Sequence, residues 1–337
     1  MTSREGLPRV VAVVGAGSIG VAFAVLFADA GFRVRVWDAF PEAFDRASAE
    51  LAERLDQLAG HGLLSATAAV VAERVSFHPG LAEAVADAEL VQECAPEQIE
   101  LKRELFAAVE TAAPAGAILA SSSSALVPST IAEGLDTADR LIVAHPGNPP
   151  YLLPVIELVP SPVTSPAVME RAAALYRGAG LRPVLLRREV EGFLFNRLQG
   201  AVLREAYALV RDGVATAANI DEVMRSGLGR RWSFMGPFET VDLNTRGGIA
   251  SHAGKMGPAY ERMGAERGQH DPWTPDLVAA VAAERRAALP LEEWERRVQW
   301  RDEQLLLLKP RWDAAAGQHN EAPPAPTTPA SSTRSTK

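Results

Sequence analysis

The chain has a single cysteine, Cys94, and only four lysines, at 102, 255, 309 and 337, among its 34 basic residues. One thiol cannot close an internal disulfide, so a reducing, cytoplasmic setting is expected. Cys94 sits in a strand-like run and reads as packing, not chemistry. The formal net charge is −8, and positive charge is carried mostly by arginine. That balance argues against nucleic acid and anionic membrane as partners, because both require a basic surface. No apolar run reaches the roughly 20 residues that a spanning helix needs. The charged start MTSREGLPRV leads into a short strand, not into the apolar segment of a signal peptide. No metal site is expected. Against these absences, 337 residues with 47% hydrophobic content suffice for two domains with cores of their own.

RVVAVV (9–14) reads as a buried strand, followed by GAGSIG, an apolar helical stretch VAFAVLFADAG (21–31) and a second strand RVRVWD (33–38). This is the first strand–helix–strand unit of a doubly wound sheet. Pro41 opens a helix over 42–60. Further strand signals are VSF (75–77), ELVQEC (89–94), AILAS (117–121), LIVAHP (141–146), VIELV (155–159) and RPVLL (182–186). Helices are expected over 81–88, 97–112, 127–135 and 165–179. From 193 to 312 apolar residues recur at helical spacing, among them Leu198, Val202, Leu209, Leu277, Val281, Trp294 and Val298, and strand signals are scarce. The expected fold is α/β. A Rossmann-type domain spans 1–189, an all-helical domain spans 190–313, and 314–337 forms a disordered Ala/Pro/Ser/Thr-rich tail. Asn219 with Glu222 is expected to cap one of the later helices.

Gly15, Gly17 and Gly20 carry the glycine loop, with Ser18 and Ile19 between the last two. The first glycine permits a tight turn, the second lets backbone approach a pyrophosphate, and the third lets the helix pack on the strand. A glycine triplet alone is weak evidence. Here it follows a strand, opens a helix and is followed by Asp38 at the end of the second strand, which points to a dinucleotide site. Asp38 would accept hydrogen bonds from ribose hydroxyls and repel a 2′-phosphate. Ala39 and Phe40 supply no positive charge, so NAD is favoured over NADP.

His145 in AHPGNPP and Glu157 in VIELV end and occupy neighbouring short strands joined by a Gly/Pro-rich connection. Such strands can bring imidazole and carboxylate together. A carboxylate on one ring nitrogen fixes the tautomer and raises the basicity of the other, which makes a general base.

The motifs VVGAGSIG, QECAPEQIELK, LASSSSALVPS, VAHPGNPPYLLPVIELVP, GFLFNRLQ and GLGRRWSFMGPFET occur in one order. Through them the chain, from about 8 to 312, resembles the 3-hydroxyacyl-CoA dehydrogenase family and, within it, the L-gulonate 3-dehydrogenase and lambda-crystallin branch. The resemblance implies that His145 takes the proton of a substrate hydroxyl and that Glu157 holds it. It implies that Ser124 hydrogen-bonds the reacting oxygen, that Asn196 holds the substrate, and that Glu97, Lys102 and Asn148 lie around the nicotinamide half of NAD. Apart from the resemblance, Ser124 could cap a loop, Asn196 a helix, and Glu97 with Lys102 could form a solvated helix face.

Family members that use CoA carry lysines after the second strand. Here 41–72 contains no lysine, and only Arg46 and Arg54 are positive. Arg231 could grip a free carboxylate in a two-pronged pair, or it could be a surface charge at a helix end. The expected activity is NAD-dependent oxidation of the 3-hydroxyl of a small hydroxy acid. The alternatives are a short-chain 3-hydroxyacyl-CoA dehydrogenase and a non-catalytic, crystallin-like NAD-binding protein. The resemblance also implies a homodimer through the helical domain, for which Trp294, Trp300 and Trp312 are candidate anchors unless they pack internally.

Overall fold

The computed structural model describes residues 9–269 and 274–300, together with 304, 308 and 311. Trp312 and the tail expected over 314–337 lie outside the described residues. The described chain falls into two compact units that divide between Arg204 and Glu205.

The first unit begins β1 (Val10–Val14), α1 (Ser18–Asp29), β2 (Arg33–Trp37), α2 (Ala43–Gly60), α3 (Ala68–Ala72) and β3 (Val75–His78). It continues α4 (Leu81–Val85), β4 (Leu90–Glu93), α5 (Ile99–Ala112), β5 (Ile118–Ser121), α6 (Pro128–Ile131) and β6 (Leu141–Pro146). Then come β7 (Val155–Pro160), α7 (Pro166–Gly178), β8 (Arg182–Leu185) and the start of α8 (Phe195–Arg211). All eight expected strands form one sheet in the order β3-β2-β1-β4-β5-β6-β7-β8. The first six have the strand order of a dinucleotide-binding sheet. Every pairing is parallel except β6 with β7. The carboxyl ends of β1, β4, β5 and β6 therefore share one edge.

Successive strand residues point to opposite faces, and both faces are buried. Val11 and Val13 join Phe23, Phe27, Leu55 and Tyr176 in one core layer. Ala12 and Val14 join Phe106, Leu119, Ile131, Leu141 and Phe193 in the other. Helix α1 is apolar all round, and every residue from Gly20 to Ala28 is buried, because it lies between the sheet and α2.

The solvated helix face considered for Lys102 is not what forms. Lys102, Phe106 and Val109 are the buried residues of α5, at the i, i+4, i+7 spacing of a core stripe. Nζ of Lys102 lies 2.8 and 2.9 Å from the two carboxylate oxygens of Glu93, and both side chains are 1% exposed. The reason is Glu93 itself: it ends the buried strand β4, and a carboxylate there requires a counter-charge.

In the second unit come α9 (Ala217–Val223), a π turn over Met224–Leu228, α10 (Gly229–Trp232), α11 (Pro237–Asn244), α12 (Gly248–Glu266) and α13 (Pro275–Ala288). No strand occurs there among the described residues. Thr216, not Asn219, caps α9: its side chain accepts from the Asn219 N–H at 3.2 Å. Glu222 instead bonds Arg225 and Ser226 one turn on. Trp294 and Trp300 pack internally against a small core of Met235, Leu243 and Leu289. The indole N–H of Trp294 donates to the Asp242 carbonyl at 2.8 Å. Among the described residues no helix is long and apolar enough to cross a membrane, and no group of His, Cys, Asp or Glu is placed to hold a metal ion.

The Lys102–Glu93 pair gives a stability test with a pH sign. Lys102→Met leaves a buried carboxylate uncompensated and is expected to cost about 3–5 kcal/mol near neutral pH. Burial raises the Glu93 carboxyl above its ordinary range, opposed by Lys102. A carboxyl raised in the folded state contributes stability at low pH and loses it as pH rises through the folded value. Urea unfolding of Lys102→Met should therefore show a smaller deficit at pH 5 than at pH 8.

Candidate functional site

The glycine loop leaves β1 at the carboxyl edge of the sheet. Gly15 has φ +114°, and a Cβ there would stand 2.9 Å from the Cys94 backbone. A Cβ on Gly20 would lie 1.9 Å from the Gly15 carbonyl oxygen, so the α1–β1 approach requires glycine. A Cβ on Gly17 would meet nothing within 4 Å, which leaves that side of the loop open. The first bond of α1 runs from the Val21 N–H to the Gly17 carbonyl at 2.9 Å, and Gly17 provides no side-chain cap. The N–H groups of Ser18, Ile19 and Gly20 precede that bond, the arrangement that accepts a pyrophosphate.

Asp38 ties the end of β2 to this loop. Its Oδ2 accepts from the Ala16 N–H at 2.7 Å and its Oδ1 from the Phe40 N–H at 3.0 Å. An ionised carboxylate has about four acceptor positions, so two bonds leave capacity for ribose hydroxyls. Gly15, Gly17, Asp38, Cys94 and Asn148 line one cleft of about 850 Å³. Open backbone at Gly17, free N–H groups at the start of α1 and an anchored Asp38 fit a dinucleotide. Burial, then the neighbouring Glu93, push the Cys94 thiol up, and the side chain belongs to the core layer on one face of the sheet.

Arg54 was legible only as a charge on α2. Its guanidinium donates to the Ser18 carbonyl at 2.9 Å and to the Ser18 hydroxyl at 2.6 Å, and it also pairs with Glu50. The Glu50/Arg54 spacing is a readable helix pair. The bond to Ser18, 36 residues away, leaves no trace in local sequence.

Strands β6 and β7 are antiparallel, in the register that sets His145 directly opposite Glu157. Nδ1 of His145 lies 2.8 Å from Glu157 Oε2, and both side chains are buried. Glu157 Oε1 accepts from the Leu194 N–H at 2.6 Å and the Phe195 N–H at 3.0 Å. The same carboxylate thus holds the imidazole and the start of α8. With Nδ1 donating to Glu157, Nε2 is the basic nitrogen. Phe193 and Phe195 flank the ring at centroid distances of 5.6 and 6.2 Å.

Asn196, in the first turn of α8, donates from Nδ2 to the Ser124 carbonyl at 2.9 Å. The backbone N–H of exposed Ser124 donates to Glu97 at 3.0 Å. Of the residues singled out from sequence, the structure joins His145 to Glu157 and Ser124 to Asn196 and Glu97, and Asn148 lines the same cleft as the glycine loop. Lys102 lies beneath the surface, bound to Glu93. Arg231 is a half-buried residue on α10 of the second unit.

Comparison with known proteins gives the family. The model of the 3-hydroxyacyl-CoA dehydrogenase NAD binding domain matches residues 10–190, and that of the family's C-terminal domain matches 192–290. The lambda-crystallin homolog of Bos taurus is 45% identical over 259 residues, 76% of this chain and 80% of that protein. The L-carnitine dehydrogenase of Streptomyces griseus is 40% identical over 267 residues, 79% of this chain and 76% of that protein. The solved structure of 3-hydroxybutyryl-CoA dehydrogenase from Escherichia coli K12 superposes with a TM-score of 0.63 at 28% identity, covering 75% of this chain and 53% of that one. The chain therefore belongs to the 3-hydroxyacyl-CoA dehydrogenase family, whose members are NAD-dependent oxidoreductases.

Proposed function

We propose that the protein oxidises the 3-hydroxyl of a small free hydroxy acid, in the manner of an L-gulonate 3-dehydrogenase, with His145 as base. The observation that carries this reading is the buried 2.8 Å contact between His145 Nδ1 and Glu157, at the sheet edge where the glycine loop opens. His145 Nε2 accepts the hydroxyl proton, and Glu157 stabilises the imidazolium that forms. The Ser124 hydroxyl hydrogen-bonds the reacting oxygen as charge develops on it. Asn196 keeps its carbonyl oxygen and second N–H for the substrate while it holds the Ser124 carbonyl. Bound NAD supplies the electron-pair acceptor.

The choice of a free acid over a thioester has its own support. Of the two positive residues on α2, Arg54 is committed to Ser18 and Glu50. Only Arg46 remains, exposed beside the nucleotide cleft. A CoA ester carries several phosphate charges, and one arginine is a poor match for them. Arg46 at that cleft is also what favours the second reading, a short-chain 3-hydroxyacyl-CoA dehydrogenase. Arg231 is our candidate for the substrate carboxylate. We further propose a homodimer: Leu203, Tyr207 and Val210, at i, i+4, i+7 spacing, form an exposed apolar face on α8, a surface suited to a second copy. The unpaired Cys94 fits a cytoplasmic setting.

Three outcomes check these statements. His145→Ala should bind NADH normally by fluorescence titration and lose about 10²–10⁴-fold in kcat. Near-normal turnover would remove the base assignment. In a panel of L-gulonate, 3-hydroxybutyrate and 3-hydroxybutyryl-CoA, NADH formation should be fastest with a free acid, and Arg231→Met should raise KM for that acid about tenfold or more. A clear preference for the thioester, or an unchanged KM, decides against this reading. Sedimentation should give twice the chain mass, and Leu203→Glu with Tyr207→Glu should shift it toward monomer; a monomeric wild type rules the dimer out.

A further inference from the structure

The second unit contains a cavity of about 680 Å³ whose walls include Glu239, Arg285, Arg296, Arg297, Gln299 and Trp300. Two carboxylates of α11, Glu239 and Asp242, meet three guanidiniums there, those of Arg285, Arg286 and Arg297. Asp242 Oδ1 accepts from Arg286 and from the Ile249 N–H at 2.8 Å. Glu239 Oε1 accepts from Nε of Arg297 at 2.9 Å. Arg285, on α13, is the third cation. The oxygens facing it, Asp242 Oδ2 and Glu239 Oε1, lie 3.6 and 3.9 Å from its Nη2, beyond hydrogen-bond reach. Its Nε is buried and has no hydrogen-bond partner among the described residues. The Arg285 side chain is only 18% exposed.

Three guanidiniums against two carboxylates leave one positive charge in excess, on a side chain that water reaches poorly. A carboxyl in that position could take up a proton and become neutral, whereas a guanidinium cannot lose one. Asp242 Oδ2 also lacks a hydrogen-bond partner among the described residues. A shift of Arg285 toward it would use one or two of five N–H donors and leave the charge count unchanged. We propose that the cavity binds a small oxyanion, a carboxylate or phosphate group, which meets Arg285 in a two-pronged pair beside Arg297. The rest of the wall suits that ligand. The Arg297 guanidinium lies 3.4 Å over the Trp300 ring and is tied to Glu239 through Nε, so the plane of its terminal amino groups is fixed. Gln299 adds an amide that can donate to a further oxygen. Arg296 pairs with Glu293 and adds no net charge. The site lies within the helical unit and does not rest on the proposed oxidation.

The test is isothermal titration of the full chain, at low ionic strength in a buffer without oxyanions, with orthophosphate and separately with succinate, which has no hydroxyl to oxidise. At least one should bind with a Kd below about 5 mM, and the tighter of the two identifies the ligand group. Arg285→Met should weaken that binding about tenfold or more, and Arg285→Lys, which keeps the charge and loses the fork, should fall between. Phenylglyoxal modification of the wild-type chain, mapped by peptide mass spectrometry, locates the site without any variant. The bound anion should shield Arg285 and Arg297 from the reagent. No binding of either anion below about 5 mM would overturn the proposal. So would shielding confined to other arginines. Binding that survives Arg285→Met and disappears in Arg231→Met would place the anion at the candidate substrate carboxylate site and overturn it as well.

Discussion

The antiparallel pairing of β6 and β7 is the constraint on which the site depends. Within a mainly parallel sheet it folds the chain back at the carboxyl edge, so that residue 157 returns opposite residue 145. Had β7 been parallel, it would have begun at the far edge, and its carboxylate could not meet an imidazole at the end of β6. Glu157 then uses both oxygens: one fixes the histidine, the other collects two N–H groups at the start of α8. A buried carboxylate that lost either set would be left partly unsatisfied, so the two functions are held together by desolvation.

The same logic recurs one strand over. Glu93 ends β4 in the interior, and Lys102 meets it from a core position of α5. That ammonium also faces Glu97, whose carboxylate gathers the serine turn. Asp38 does the corresponding work for the glycine loop by accepting from Ala16. Three acidic residues at or near strand ends thus hold three loops on one sheet edge. In each case a carboxylate accepts from backbone N–H groups of the loop it holds.

Much of this was readable beforehand, for identifiable reasons. Strands buried on both faces give dense β-branched runs, and all eight were placed within a residue or two. The glycine spacing reports steric needs that the Cβ contacts at Gly15 and Gly20 bear out. Lys102 was misread in one of its alternatives, because a lysine in an E/K/R-rich helix resembles a surface residue until its partner is known. The bond from Arg54 to Ser18 and the Thr216 cap were overlooked for opposite reasons. The Arg54 partner is distant in sequence, whereas Thr216 was overshadowed by an equally good capping residue three positions on. Trp294 and Trp300 could be core or interface from periodicity alone, and packing chose the core.

Local chemistry settled the element types, the turn glycines and the acidic residue after β2, since each answers to its own neighbours along the chain. Strand direction, the opposition of His145 to Glu157, the burial of Lys102 and the bond from Asn196 to Ser124 came only from folding. They join residues 12, 9 and 72 positions apart, and no spacing rule records which way a returning strand runs or which side of a helix meets a buried charge.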